Sequence, residues 1–192
     1  MASKNVMQKY AKLAVRIGAN VQPGQLLVVT SSVTNYEFVR MCVKEAYEAG
    51  AGDVVVNWSD EQLALMSYTY CSLETLTEFP QWTYDKQAWA QEKGCCFLHI
   101  TSSTPGLMKD VDPEKMQAVQ IAGSTKYAPL QKYTMNNDGQ WSIVALPSAG
   151  WAMKVFPELS EDEAVEKLMD AILMSVRVSE DNDLSLIHIS EP

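Results

Sequence analysis

Histidine is nearly missing from this chain: 192 residues contain two, His99 and His188. No HExxH segment and no CxxC pair accompanies them. A catalytic metal needs several His, Cys, Asp or Glu side chains converging on one point. The scarcity also leaves every Ser or Cys without an evident base for nucleophilic chemistry. The residues therefore assign no catalytic, cofactor-binding or metal-binding position. Basic side chains are few too, 15 against 24 acidic ones, for a net charge of −9. Nucleic-acid backbones and anionic membrane surfaces attract basic patches, so neither partner is expected. No apolar run reaches 18 residues, which excludes an obvious membrane-spanning helix. The opening residues MASKNVMQKYAKLAVRIG lack the apolar centre of a signal peptide.

The four cysteines are Cys42, Cys71, Cys95 and Cys96. Cys95 and Cys96 are adjacent in a strand-like run, and neighbours in a strand point to opposite faces. A disulfide framework is not expected, and buried, reduced thiols are.

What is present suits a globular domain, with 47% hydrophobic and 20% charged residues. Helical and extended patterns alternate along it. Val6, Tyr10, Leu13, Ala14 and Ile17 recur at helical spacing behind a possible Ser3 cap, and Gly18 can end that helix. Pro23-Gly24 turns into the buried run Leu26–Val29. Thr34 with Glu37, and Ser59 with Gln62, show capping-box spacing. Between them lie a helix ending near Gly50 and a strand from Val54 to Trp58. Helices are expected over Asp60–Tyr70 and Trp82–Lys93, a third strand over Cys95–Thr101, and a proline-initiated helix from Asp112 to about Leu130. Asn137-Asp138-Gly139 reads as a turn and Trp141–Leu146 as the fourth strand. A last helix starts at Ser160, with Glu163 in the capping-box position and Ala164, Val165, Leu168, Met169, Ile172, Leu173 and Val176 as its stripe. Four continuous-apolar strands separated by helices predict an α/β fold, a mostly parallel sheet with helices on both faces, in one domain to about Val178.

Ligands of such sheets bind beyond the carboxyl ends of the strands. Those ends are rich in hydroxyls: Thr30-Ser31-Ser32, Ser59-Asp60-Glu61, Thr101-Ser102-Ser103-Thr104 and Pro147-Ser148. They could hold an anion, but helix capping is the commoner use. Gly50-Ala51-Gly52 follows a helix and precedes a strand, the wrong context for a dinucleotide-binding turn. His99 sits among Phe97, Leu98 and Ile100 and reads as a satisfied sheet histidine. The carboxylates of Glu161, Asp162 and Glu163 open a helix, where negative charge is favourable. The five tryptophans, Trp58, Trp82, Trp89, Trp141 and Trp151, fit core packing better than an association surface.

Several stretches carry a resemblance: KYAKLAVRIGANVQPGQLLVV, FVRMCVKEAYEAGAGDVVVNWSDE, DVDPEKM and WAMKVFPELSEDEAVEKLMDAILMSVRV. In order and spacing, from about Met7 to Val178, they are similar to the amino-terminal domain of the thermophilic metalloprotease family of aminopeptidases. The resemblance implies a cytoplasmic, homodimeric, two-domain exopeptidase that removes amino-terminal residues from peptide substrates with two divalent metal ions, zinc, cobalt or magnesium. It also implies that the metal ligands belong to the family's second domain, so no metal or catalytic residue transfers to any position here. None is expected to bind in this chain, which is expected to be inactive by itself. Residues 1–178 are expected to form the amino-terminal α/β domain and 179–192 a truncated linker. Its last nine residues, Leu184–Pro192, depart from the family and resemble a translated sequencing adapter, so they are expected to be non-native. Two other readings stand beside this one: a binding module for a small anion at the strand ends, and a dimerisation module built on the tryptophans.

Overall fold

The computed structural model describes residues 2–181; the expectation about residues 184–192 lies outside them. Along the chain run α1 (Lys4–Lys12), β1 (Leu26–Ser32), α2 (Tyr36–Glu48), β2 (Asp53–Ser59), α3 (Glu61–Tyr70), α4 (Leu73–Thr77) and α5 (Gln81–Glu92). They are followed by β3 (Cys96–Thr101), α6 (Pro113–Met135), β4 (Trp141–Ala145), α7 (Ala149–Val155) and α8 (Glu161–Ser175). The four strands form one all-parallel sheet in the order β2-β1-β3-β4. Successive strands step outward from β1 first to one side and then to the other, so the order reverses between β1 and β3. Among the described residues no helix is long and apolar enough to cross a membrane.

Side chains alternate across the pleat, and the two faces are packed differently. On the first face Leu27, Val29, Cys96, Leu98 and Ile100 meet α1, α2 and α8 in one buried cluster. From α8 come Ala164, Leu168, Met169, Ile172 and Leu173, the stripe that the helical spacing predicts. Each of the larger of these side chains contributes roughly 1.5–3 kcal/mol by leaving water. The second face buries a smaller set, Leu26, Val28, Ala90, Cys95 and Phe97. Neither α3 nor α4 has a buried residue, and α5 and α6 have one each, Ala90 and Leu130.

Local details depart from expectation at identifiable places. The first helix does not run regularly to Gly18: Leu13–Gly18 widens into a π turn. Gly18 abuts β4, where a Cβ would lie 2.5 Å from Ser142 Oγ, so the chain needs glycine to pass. Thr34 does not cap α2. It lies in a 3-10 turn, Val33–Asn35, and its N–H donates to Ser32 Oγ at 3.3 Å. Ser59 likewise remains in β2 and donates to the Ser31 carbonyl, leaving Asp60 to cap α3. α6 continues past Leu130 to Met135 with Pro129 inside it. Its last turns are held by Tyr133, whose hydroxyl donates to the Cys95 carbonyl at 2.8 Å. The short helices α4 and α7 are additions that the sequence pattern did not suggest.

Four of the five tryptophans correct the core-packing expectation. Trp58, Trp82, Trp89 and Trp141 are exposed, Trp82 to 67%, whereas Trp151 packs against the first-face cluster. All four cysteines are free. Cys42, Cys95 and Cys96 are buried, and burial pushes the Cys95 thiol up to about 12 and the Cys96 thiol up to about 11. Cys71 is only half-buried.

Tyr10 fastens the first face. Its ring is fully buried, 5.1 Å from that of Phe38. Its hydroxyl donates to the Ala145 carbonyl at 2.9 Å and accepts from the Ala145 N–H at 3.2 Å. Burial pushes its pKa up to about 12. Tyr10→Phe would leave a strand-end N–H and C=O without their partner. The expected loss is about 1–3 kcal/mol, read as a lower urea midpoint; an unchanged midpoint would refute the assigned role.

Candidate functional site

The reversal of strand order between β1 and β3 is where open α/β sheets take ligands. The residues at that end are drawn together, as the hydroxyl-rich strand ends suggest, but they satisfy one another. Ser31 and Asn35 are buried, with Asn35 Nδ2 donating to Ser31 Oγ at 3.3 Å. Glu61, the first residue of α3, reaches the loop after β3. There its carboxylate accepts from the Thr104 N–H at 2.9 Å and from Thr104 Oγ1 at 2.5 Å. Ser148 caps α7 by accepting from the Trp151 N–H at 3.1 Å, and its hydroxyl donates to the Ser103 carbonyl. Gly150 lets α7 sit tightly here, since a Cβ would lie 2.2 Å from Thr104 Cγ2.

The protein thus supplies its own anion to this crevice. A carboxylate already takes a loop N–H and a hydroxyl beside the switch point, and a second anion would meet it at close range. The anion-binding reading therefore loses its physical basis around Glu61, Thr104 and Ser148; Thr30, whose side chain lines the second face of the sheet, lies outside that network. Ser102 Oγ is the one buried side-chain oxygen or nitrogen without a hydrogen bond among the described residues. Gly50 and Gly52 lie at the opposite, amino-terminal end of the sheet. There Gly52 packs against the Gly24 carbonyl, where a Cβ would be 2.5 Å away, so the rejection of a dinucleotide turn agrees with the geometry.

His99 is the remaining candidate from the sequence, and its surroundings correct the expectation of a satisfied histidine. It stands on β3, half-buried, stacked on Phe97 with ring centroids 6.1 Å apart. It has no hydrogen bond among the described residues. Parallel pairing sets Asn57, Thr30 and His99 in one row across β2, β1 and β3. The row floors an open groove of about 370 Å³ on the second face, walled by α5 through Trp82, Lys86 and Trp89. Lys86 Nζ donates to Asn57 Oδ1 at 2.5 Å. Desolvation holds the His99 pKa below its ordinary 6.5, so the ring is neutral near pH 7. Spacing alone could have marked the face of His99 but not its neighbours, which depend on strand order.

Comparison with known proteins places the chain. A family model described as thermophilic metalloprotease matches residues 3–185. Aminopeptidase AmpS of Bacillus subtilis is 39% identical over 176 residues, 92% of this chain and 43% of that protein. Aminopeptidase T of Thermus thermophilus is 32% identical over 184 residues, 96% of this chain and 45% of that protein. The solved structure of wild-type AmpT from Thermus thermophilus superposes with a TM-score of 0.82 at 34% identity, covering 88% of this chain and 43% of that one. The chain therefore spans a little over two fifths of the length of the relatives it matches.

Two measurements check the geometry. Glu61→Ala removes both bonds to Thr104 and should lower stability by about 1–2 kcal/mol in urea unfolding; a neutral result would mean the crevice is closed by other means. The depressed His99 pKa gives a signed pH effect. The folded state binds the proton less readily than the unfolded state, so its stability is whole above pH 6.5 and falls as pH drops below that value. His99→Gln should flatten the decline in stability between about pH 7 and pH 5.5, the range of ordinary histidine titration. An unaltered slope would refute the assignment.

Proposed function

The chain belongs to the thermophilic metalloprotease family, and from that membership we propose that it is the amino-terminal α/β domain of a two-domain, metal-dependent aminopeptidase. The observation that carries the reading is the match to AmpS, which runs along 92% of this chain. Peptides would be the substrates, cleaved at their amino-terminal residue. The parent would be a cytoplasmic homodimer using two divalent ions, zinc, cobalt or magnesium.

The donors in the described residues do not fit a metal pair. No three His, Cys, Asp or Glu side chains converge there. His99 faces Thr30, Asn57 and Lys86, none of them a customary partner in a histidine-metal site. Glu61 is engaged by Thr104. The ions are therefore assigned to the part of the parent that lies beyond the matched 43–45% of its relatives. What these residues supply is a rigid sheet, a closed crevice and the second-face groove. Residues 1–178 are the domain in this reading and 179–192 its linker.

A chimaera tests it. Residues 3–181 of this chain replace the segment of AmpS that they match. The chimaera should cleave leucine p-nitroanilide within about tenfold of the AmpS rate, a barrier change under about 1.4 kcal/mol. EDTA should stop it and cobalt restore it. A folded chimaera without turnover would overturn the reading. The 192-residue chain, given the same ions, should show none, and turnover by it would overturn the placement of the ions.

A further inference from the structure

The groove on the second face of the sheet has a chemistry of its own. Its polar floor and wall offer hydrogen-bond donors. Lys86 carries three N–H bonds and spends one on Asn57 Oδ1. The Asn57 amide keeps its N–H2 group, and the Thr30 hydroxyl and the His99 ring nitrogen have no partner among the described residues. Among the described residues, the one charged side chain lining the groove is Lys86, and no carboxylate lines it. In a chain of net charge −9, a groove with one cation and no acid is a local reversal of sign. Trp82 and Trp89 supply aromatic surface on the same wall, both substantially exposed.

We propose that this groove binds the free carboxylate of an apolar amino acid or short peptide, with Lys86 as counter-ion, the Asn57–Thr30–His99 row as hydrogen-bond donors, and Trp82 and Trp89 against the side chain. A planar anion with an apolar body matches each part. Donors converge on the carboxylate, the ammonium neutralises it, and the indoles cover the rest. Inorganic phosphate would satisfy the donors and leave the tryptophans bare. The neutral His99 ring has a further consequence. An anion held beside it favours the imidazolium and raises its pKa. Lys86, from α5, is the one charged group that lines the groove with it. The inference rests on the groove alone; an inactive AmpS chimaera would leave it standing, and its failure would leave the aminopeptidase reading standing.

The 192-residue chain is titrated with N-acetyl-L-phenylalanine and, in parallel, with its amide and with inorganic phosphate. Tryptophan fluorescence reads occupancy, and proton NMR follows His99, assigned by its loss in His99→Gln. The acid should saturate with a dissociation constant in the millimolar range or tighter, and the amide should bind at least about tenfold more weakly. The His99 titration should move to higher pH with the acid and not with the amide. Lys86→Met should weaken acid binding about tenfold, and Lys86→Arg, which keeps the charge, should retain most of it. Equal binding of acid and amide, an unmoved His99 titration, or a Lys86→Met variant that binds as well as the parent would each overturn the proposal. Phosphate competing with equal affinity would show a general anion site and overturn the apolar part of it. No saturation below about 50 mM would refute it outright.

Discussion

Among the described residues β4 is an edge strand, hydrogen-bonded to the sheet on one side through β3. A parallel edge has no hairpin to hold it, and its end must be fixed by something from another layer. Tyr10 does this from α1. It satisfies both backbone groups of Ala145 while its ring fills space against Phe38. The same residue therefore joins helix, sheet and α2 in a region from which water is excluded. With β4 fixed, Val144 and Leu146 can close the cluster over which α7 and α8 fold. The capping box at Ser160, with the Glu163 carboxylate accepting from the Ser160 N–H at 3.1 Å, then starts α8 in place.

The two faces of the sheet obey different rules. The first is closed by apolar packing, with nearly every inward side chain of α1, α2 and α8 buried. The second is organised by polar and aromatic contacts between helices that bury little. Lys115 of α6 donates to the Tyr68 and Cys71 carbonyls at the end of α3, at 2.6 and 2.7 Å. Tyr127 packs between Phe79 and Tyr84 and shares a hydrogen bond with Thr83. Such contacts orient helices while leaving Leu63, Met66, Tyr70, Trp82 and Trp89 in water. Hydrophobic burial is what normally makes a layer independently stable, and here one layer draws most of it. The polar groove accordingly lies on the other side.

The strands were legible because parallel strands covered on both faces read as continuous apolar runs, and Leu26–Val29, Val54–Trp58, Cys95–Thr101 and Trp141–Leu146 all locate real strands. The helix α8 was legible because its stripe and its capping box agree. Errors arose where two local rules compete for one residue. Thr34 and Ser59 each had capping-box spacing, but Ser32 caps the 3-10 turn ahead of α2 and Asp60 caps α3, because the strands run on to Ser32 and Ser59. The expected end of α6 near Leu130 fell short: Pro129 is accommodated inside the helix, and Tyr133 beyond it has a tertiary partner in Cys95, a contact that outweighs a single missing N–H. The tryptophans were misjudged because composition gives hydrophobic area without saying whether a helix has anything to pack against.

The groove illustrates a deeper limit. Alternation alone places His99 on the same face as Cys95 and Phe97, and Thr30 on the same face as Leu26 and Val28. Nothing in either strand says that they are neighbours. That follows from the insertion of β1 between β2 and β3, which puts Thr30 in register with both Asn57 and His99. Lys86 is brought over them by a helix 12 residues long whose own sequence has little apolar pattern. A metal site announces itself through ligand types that are rare and strongly constrained. A donor row made from threonine, asparagine and one histidine does not, since each of those residues is common in a strand for other reasons. Strand order is therefore the quantity that converts this sequence into a candidate site, and it is set by the sheet as a whole: β1, the most buried strand, takes the centre, and the polar residues of its second face are carried there with it.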